Sequence, residues 1–288
     1  MTIQRIAVIG ATGMMGRPVT TQLLKAGYDV TIIARKPGKV SGFPKAELVR
    51  GDVFDPGPIR EALRGQHAVY LNLSVKPEEK QIDLHTETDG LRNVVEAAQA
   101  NGLRRIALIS SLVMNYQGQN GFRWWVFDLK KEAISILKAG GVPWTIFYAS
   151  SFMENFLHDQ KKGDKIMLSG TSKHRMHYIA GSDYGSQVAR AFALLGDENR
   201  EYAIQGPQAL NADEAAAVFV ANYTKEKLRI SKAPMPLLQA MGMFDQKVEY
   251  ASKIIHALNN YPEQFQAHRA WKELGKPPTS LAEFAKNA

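Results

Sequence analysis

The stretch Arg5-Ile6-Ala7-Val8-Ile9-Gly10-Ala11-Thr12-Gly13-Met14-Met15-Gly16 reads as a short β-branched strand running into a glycine turn. A helical pattern continues from the turn to Ala26, and Gly27 stops it. The glycines are spaced G-x-x-G-x-x-G. Gly10, at the strand end, permits a sharp turn. Gly13 lets main chain approach a pyrophosphate with no Cβ in the way, and Gly16 allows the helix to pack closely on the strand. The candidate phosphate-binding residues are therefore Gly10, Thr12, Gly13, Met14, Met15 and Gly16, acting through free N–H groups and the positive end of the helix. A tight turn without a ligand is the bland alternative. The strand before the glycines and the helix after them supply the context that a dinucleotide site requires.

Further apolar runs follow at Val30–Ala34, Leu48–Val49, Ala68–Leu73, Ile106–Ser110 and Thr145–Tyr148. Helical stretches separate most of them: Pro58–Arg64, Glu87–Ala100 and Asp128–Ala139. Continuous apolar strands alternating with amphipathic helices imply an α/β fold whose parallel sheet is buried on both faces. After about Phe156 the rhythm changes. Short strands are expected at Lys165–Leu168 and Glu201–Ile204, and helices at Tyr184–Leu195, Ala212–Tyr223 and most of Met235–Asn259. The expected organisation is a nucleotide-binding domain over residues 1–155. A smaller, mainly helical substrate lobe spans residues 156–288, with some of its elements returning to the sheet.

Composition narrows the function classes. The 288 residues are 45% hydrophobic and 22% charged, as in a globular protein, and the longest apolar runs are too short to cross a membrane. No basic leader precedes a cleavable apolar stretch, so no signal peptide is expected. The absence of cysteine excludes disulfides, thiol nucleophiles and cysteine-ligated metals, and is compatible with a cytoplasmic protein. The net charge of +8 is spread along the chain: residues 1–155 carry 19 basic and 14 acidic side chains, residues 156–288 carry 17 and 14. A nucleic-acid footprint would be clustered, so phosphorylated cofactors are the more economical anionic partner.

The ends of the next strands supply further candidates. Arg35 lies 19 residues after Gly16, where an NAD-preferring site has an acidic residue for the ribose hydroxyls. A guanidinium cannot accept a hydroxyl proton but does pair with a 2′-phosphate, so Arg35 and its neighbour Lys36 argue for NADP(H). Asp52 is placed to accept the adenine amine, with Val53 against the ring; a turn aspartate is the competing reading. Asn72, Leu73 and Ser74 end the fourth strand, where small polar groups and main chain line a nicotinamide ribose.

These features, with Gly141-Val142-Pro143-Trp144-Thr145-Ile146, Phe152-Met153-Glu154-Asn155, Ile179-Ala180-Gly181-Ser182-Asp183-Tyr184-Gly185, Tyr202 to Leu210 and Gly275-Lys276-Pro277-Pro278-Thr279-Ser280-Leu281, resemble the NmrA-like group of atypical short-chain dehydrogenases/reductases. The resemblance covers nearly the whole chain. It implies a Rossmann-type, doubly wound domain that binds NADP(H) and a small substrate lobe. Some members resemble quinone, aldehyde or isoflavone-type reductases; others bind the cofactor without turnover and regulate a partner protein.

In the wider superfamily a Tyr-x-x-x-Lys pair and a nearby serine assist hydride transfer, the tyrosine donating a proton. The resemblance places Lys130 at the lysine position. Four residues earlier stands Val126, which has no proton to give. The expected catalytic candidates are therefore Lys130, as ribose ligand or acid, Ser111 in the serine region, and Tyr148, which stands where relatives have Arg-Pro. Tyr116 is a weaker replacement acid. Phe122, Trp124, Trp125, Phe127, Phe152, Met153 and Phe156 are candidate walls for an apolar, planar substrate. His174 and His177 lack the further ligands of a metal site, and no Gly-x-Ser-x-Gly hydrolase elbow is present. Two readings remain: an NADPH-dependent reductase of a small apolar carbonyl or quinone, and a non-catalytic NADP(H) sensor.

Overall fold

The computed structural model describes residues 3–194 and 196–288. In the first half, strands β1 (Arg5–Ile9), β2 (Asp29–Ala34), β3 (Glu47–Arg50), β4 (Ala68–Leu71), β5 (Arg105–Ser111) and β6 (Trp144–Ala149) alternate with helices α1 (Gly16–Lys25), α2 (Pro56–Ala62), α3 (Leu91–Ala100) and α4 (Trp125–Ala139). The second half contributes β7 (Lys161–Lys162), β8 (Lys165–Ser169), β9 (Met176–Tyr178), β10 (Arg200–Ile204), β11 (Gln208–Leu210) and β12 (Arg229–Ala233). Its helices are α5 (Asn155–His158), α6 (Gly181–Leu194), α7 (Ala212–Asn222), α8 (Met235–Gly242), α9 (Gln246–Asn260), α10 (His268–Leu274) and α11 (Leu281–Asn287).

Seven parallel strands form the central sheet in the order β3-β2-β1-β4-β5-β6-β10. This is a Rossmann-type, doubly wound α/β architecture. The order in which successive strands are added reverses between β1 and β4, so the ligand crevice lies at the carboxyl ends of those strands. The β1 run Ile6-Ala7-Val8-Ile9 is buried on both faces. Helices α2, α3 and α4 cover one face; α1, α6 and α10 cover the other. The α1–α6 contact is close because α6 carries glycine there: a Cβ on Gly185 would lie 2.8 Å from the Pro18 carbonyl oxygen, and one on Gly181 would lie 2.8 Å from the Pro18 ring. A third core, built from β8, β9, α7 and α11, fills the smaller lobe. Among the described residues no helix is long and apolar enough to cross a membrane.

Several boundaries differ from the sequence reading. The Met235–Asn259 pattern is two helices. Gly242 packs on Glu249, where a Cβ would lie 2.9 Å from the Glu249 Cα, and the Asp245 side chain accepts from Lys247 N at 2.8 Å to start α9. The helix expected over Tyr184–Leu195 begins at Gly181 and reaches Leu194; Leu195 is outside the described residues, as are Met1 and Thr2. The fourth strand ends at Leu71, and Asn72 turns back to the glycine loop.

Polar ties lock the second half onto the sheet. Asp183 accepts from both Thr279 N and Thr279 Oγ1 at 3.0 Å, anchoring the terminal Pro-Pro-Thr-Ser segment on α6. Buried Glu263 accepts from Ser150 Oγ, His177 N and Gln205 Nε2. Burial is the main influence on Glu154, Asp183 and Glu263, and it pushes each carboxyl above the ordinary carboxylate range. A raised folded-state pKa means that the native state binds the proton more tightly than the unfolded chain. The associated stabilisation is fully present below the unfolded value and is lost as pH rises through the folded one.

A carboxamide at position 263 can accept from His177 and Gln205 and donate to the Ser150 oxygen. Glu263→Gln is therefore expected to fold and to show a shallower decline in stability with rising pH. Glu263→Ala strands three donors and should cost about 3 kcal/mol. Urea unfolding of the three proteins across the acid range checks both outcomes; equal slopes for wild type and Glu263→Gln would contradict this assignment.

Candidate functional site

The glycine turn sits at the crevice. Gly10 has φ +83°, a left-handed conformation, and a Cβ there would lie 2.3 Å from the Asn72 carbonyl oxygen. A Cβ on Gly16 would lie 1.9 Å from the Gly10 oxygen, so helix and strand touch main chain to main chain. Gly13 faces Asn72 Nδ2, which itself donates to Gly10 O at 3.2 Å and latches the turn to the end of β4. The Gly13 amide closes the turn onto Gly10 O at 3.0 Å. The amides of Met14, Met15 and Gly16 have no acceptor among the described residues. Thr12 is exposed, Met14 is half-buried, and the Met15 side chain is in the core, leaving only its main chain for a ligand. A concave loop without side chains, unpaired N–H donors and the amino end of α1 together fit a dinucleotide diphosphate.

At the end of β2, Arg35 and Lys36 are exposed and their side chains make no ion pair among the described residues. A third cation, which the sequence reading missed, stands in the first turn of α1. Arg17 Nη1 donates to Ser41 O at 3.2 Å, and its guanidinium carbon lies 5.3 Å from the centre of the Phe43 ring. The loop that follows Lys36 thus closes on Arg17. The signal available was a basic residue directly after the third glycine.

The Asp52 carboxylate accepts from Phe54 N at 3.1 Å, closing the turn ahead of α2. Val53 is 7% exposed and packs so tightly against Gly90 that a Cβ there would lie 2.5 Å from a Val53 methyl. Of the residues ending β4, Asn72 bonds the glycine turn, Leu73 is buried, and exposed Ser74 accepts from Thr86 Oγ1 through its carbonyl at 3.1 Å.

Beyond β5 the groups expected to act on a substrate are differently engaged. Ser111 ends the strand half-buried, with no side-chain hydrogen bond among the described residues. Lys130 Nζ lies 2.6 Å from Glu87 Oε1, and the Glu87 side chain is 5% exposed. Glu87 comes from a single π-helical turn, Thr86–Gly90, that leads into α3 and directs its carboxylate at α4. The second Glu87 oxygen is buried without a hydrogen-bond partner among the described residues. Val126 is 1% exposed, so the position of the missing tyrosine is core.

The Tyr148 hydroxyl donates to Glu201 Oε1 at 3.2 Å, and Lys138 binds the same carboxylate oxygen at 2.6 Å. Burial and the Glu201 charge raise the Tyr148 pKa, so its proton is held rather than offered. Tyr116 is 1% exposed and packs on Phe122 and His256. The candidate aromatic wall is divided among separate cores. Phe122, Trp124 and Phe127 belong with α4, Phe152 with α1 and α6, and Met153 and Phe156 with the smaller lobe. The sequence reading also missed Tyr250 of α9, whose ring meets Trp124 edge-on at 4.9 Å.

The fold and the glycine cradle define a dinucleotide-binding protein. Residues 10–193 match the NAD(P)H-binding family. The chain is 31% identical over 217 residues to a (4-alkanoyl-5-oxo-2,5-dihydrofuran-3-yl)methyl phosphate reductase of Streptomyces griseus, covering 74% of this chain and 71% of that one. It is 24% identical to an NAD(P)H azoreductase of Xenophilus azovorans over 98% of this chain and 96% of the relative. Its structure resembles that of an NADPH-dependent quinone oxidoreductase of Escherichia coli complexed with NADPH, with a TM-score of 0.76 and 22% identity over 98% and 99% of the two chains. The chain belongs to the NAD(P)H-binding family, in keeping with the resemblance carried by its sequence motifs.

Proposed function

We propose that the protein is an NADPH-dependent reductase of a small apolar carbonyl or quinone. The observation that carries this reading is the side-chain-free cradle of Gly10, Gly13 and Gly16 beside the exposed cations Arg35 and Lys36, which make no ion pair among the described residues. The (4-alkanoyl-5-oxo-2,5-dihydrofuran-3-yl)methyl phosphate reductase and the azoreductase among its relatives support a reductive chemistry. When bound, the cofactor supplies a hydride.

The amides of Met14, Met15 and Gly16 hold the diphosphate, and Arg35 with Lys36 binds the 2′-phosphate. Lys130 has two further N–H donors beside the one that meets Glu87, and directs them to ribose hydroxyls. Ser111 offers its hydroxyl to the acceptor oxygen. Water supplies the final proton, because Val126 has none and the Tyr148 proton is bound to Glu201. A quinone suits this arrangement: conjugation stabilises its reduced oxyanion, so it needs little help from a protein acid. The second reading is an NADP(H) sensor that acts on a partner protein, favoured by Val126 and by the engagement of Lys130 with Glu87.

The test is NADPH oxidation with a panel of quinones, aldehydes and azo compounds. Turnover of at least one acceptor, weakened in Lys130→Ala, is expected; tight cofactor binding without turnover of any acceptor would favour the sensor. Arg35→Asp should lower the NADPH/NADH affinity ratio by about a hundredfold, the scale of losing and reversing one charge-assisted phosphate contact. An unchanged ratio would remove Arg35 from the site.

A further inference from the structure

A cavity of about 700 Å³ opens between residues 120–123, α8 and α9, outside the dinucleotide crevice. The residues that give it a chemical character are Phe122, Arg123, Met243, Glu249, Lys253 and His256. Its floor is aromatic: the His256 ring lies over Phe122 at 5.5 Å with an interplanar angle of 5°. Met243, 74% exposed, forms an apolar rim.

The loop that presents Phe122 and Arg123 is tightly set. Gly118, Asn120 and Gly121 all have left-handed backbone, with φ +89°, +50° and +73°. Asn120 is the one residue other than glycine with positive φ among those described, a conformation that asparagine tolerates but that is costly for most side chains. Gly118 N bonds Phe122 O at 2.9 Å, and Gln119 Nε2 bonds Asn115 O at 2.7 Å. This spacing holds Arg123 at the mouth.

The electrostatics are one-sided. Neither Arg123 nor Lys253 has an ion-pair partner among the described residues, and Glu249, the one acid in the lining, pairs with neither. Lys173 adds a further positive charge near His256. Burial, then Lys253, then Lys173, lower the pKa of His256 and so favour its neutral ring. A cavity with an aromatic floor, an apolar rim and two cations in its lining that make no ion pair among the described residues selects a flat apolar body that carries a negative group.

We propose that this cavity binds an aromatic organic anion, its ring system along Phe122 and His256 and its acidic group between Arg123 and Lys253. The site stands on its own geometry and does not depend on the reductase reading.

The test is calorimetric titration of the full chain, saturated with NADPH, with 2-naphthoate and with its neutral counterpart 2-naphthamide. Naphthoate should bind at least tenfold more tightly than the amide. Arg123→Ala and Lys253→Ala, both surface substitutions, should each weaken naphthoate by about five- to tenfold and leave the amide unchanged. Arg60→Ala, a cation on α2, should change nothing. The His256 ring resonances should move on titration. Equal affinities for acid and amide, insensitivity to both substitutions, or naphthoate that binds only when NADPH is left out would each overturn the proposal.

Discussion

Gly13→Ala should sharply weaken cofactor binding while leaving the protein folded, whereas Gly16→Ala should damage both. The added methyl at position 13 meets Asn72 Nδ2 at 2.7 Å, the far end of a flexible side chain. It also projects from the loop that a diphosphate must approach, and turning Asn72 away unlatches that loop from β4. NADPH affinity should fall about a hundredfold, near 2.8 kcal/mol, with a melting temperature close to wild type. At position 16 the methyl would sit 1.9 Å from the Gly10 carbonyl oxygen, and two main-chain segments cannot both yield. Stability should fall by about 3 kcal/mol along with cofactor affinity. Fluorescence titration with NADPH, paired with thermal unfolding, separates the two effects. Wild-type NADPH affinity in Gly13→Ala would refute the placement of the diphosphate.

Arg105→Ala should be the most damaging single change outside the crevice. This arginine, at the start of β5, is fully buried. Its guanidinium donates to Trp144 O at 3.1 Å, Thr145 Oγ1 at 2.8 Å and Glu198 O at 3.0 Å, and also to Gly196 O. One side chain thereby ties β5 to β6 and to the loop that delivers β10. Burial is the main influence on its pKa and lowers it, with the nearby Glu198 charge opposing. Truncation leaves four acceptors unpaired in a cavity, at a cost of about 4 kcal/mol. Arg105→Met fills the space but restores no donor, so it should recover only part of the loss. Urea denaturation measures both; a change within 1 kcal/mol for alanine would mean that water replaces the guanidinium.

The dinucleotide cradle was readable because its determinants are local. A β-branched strand, three glycines and a helix within a few turns of chain leave few alternatives, and Gly10 and Gly16 have the close main-chain contacts their spacing implied. The same holds for the alternation from β1 to β6. What the chain did not disclose depends on distant partners. Nothing near Lys130 announces Glu87, 43 positions away, and the π turn that aims this carboxylate has no compositional mark. Arg17 meets Ser41 only because the loop after β2 folds back. Tyr148 was named for its place where relatives have Arg-Pro; Glu201 reaches it from β10, beside β6 in the sheet. The aromatic residues after β5 and β6 were neighbours in sequence, yet they pack into three cores. The break between α8 and α9 did carry a local signal, Asp245 as a helix cap, masked by the apolar pattern on either side.

The pairing of β10 with β6 also sets the order in which the molecule matures. During synthesis β6 emerges about fifty residues before the strand that shields it, and its apolar Thr-Ile-Phe segment presents an open row of amides and carbonyls in the meantime. The nascent chain therefore passes through an interval of vulnerability to intermolecular strand pairing. That interval closes only when Arg200–Ile204 clear the ribosome, and slower elongation between these two segments should lower the yield of native protein.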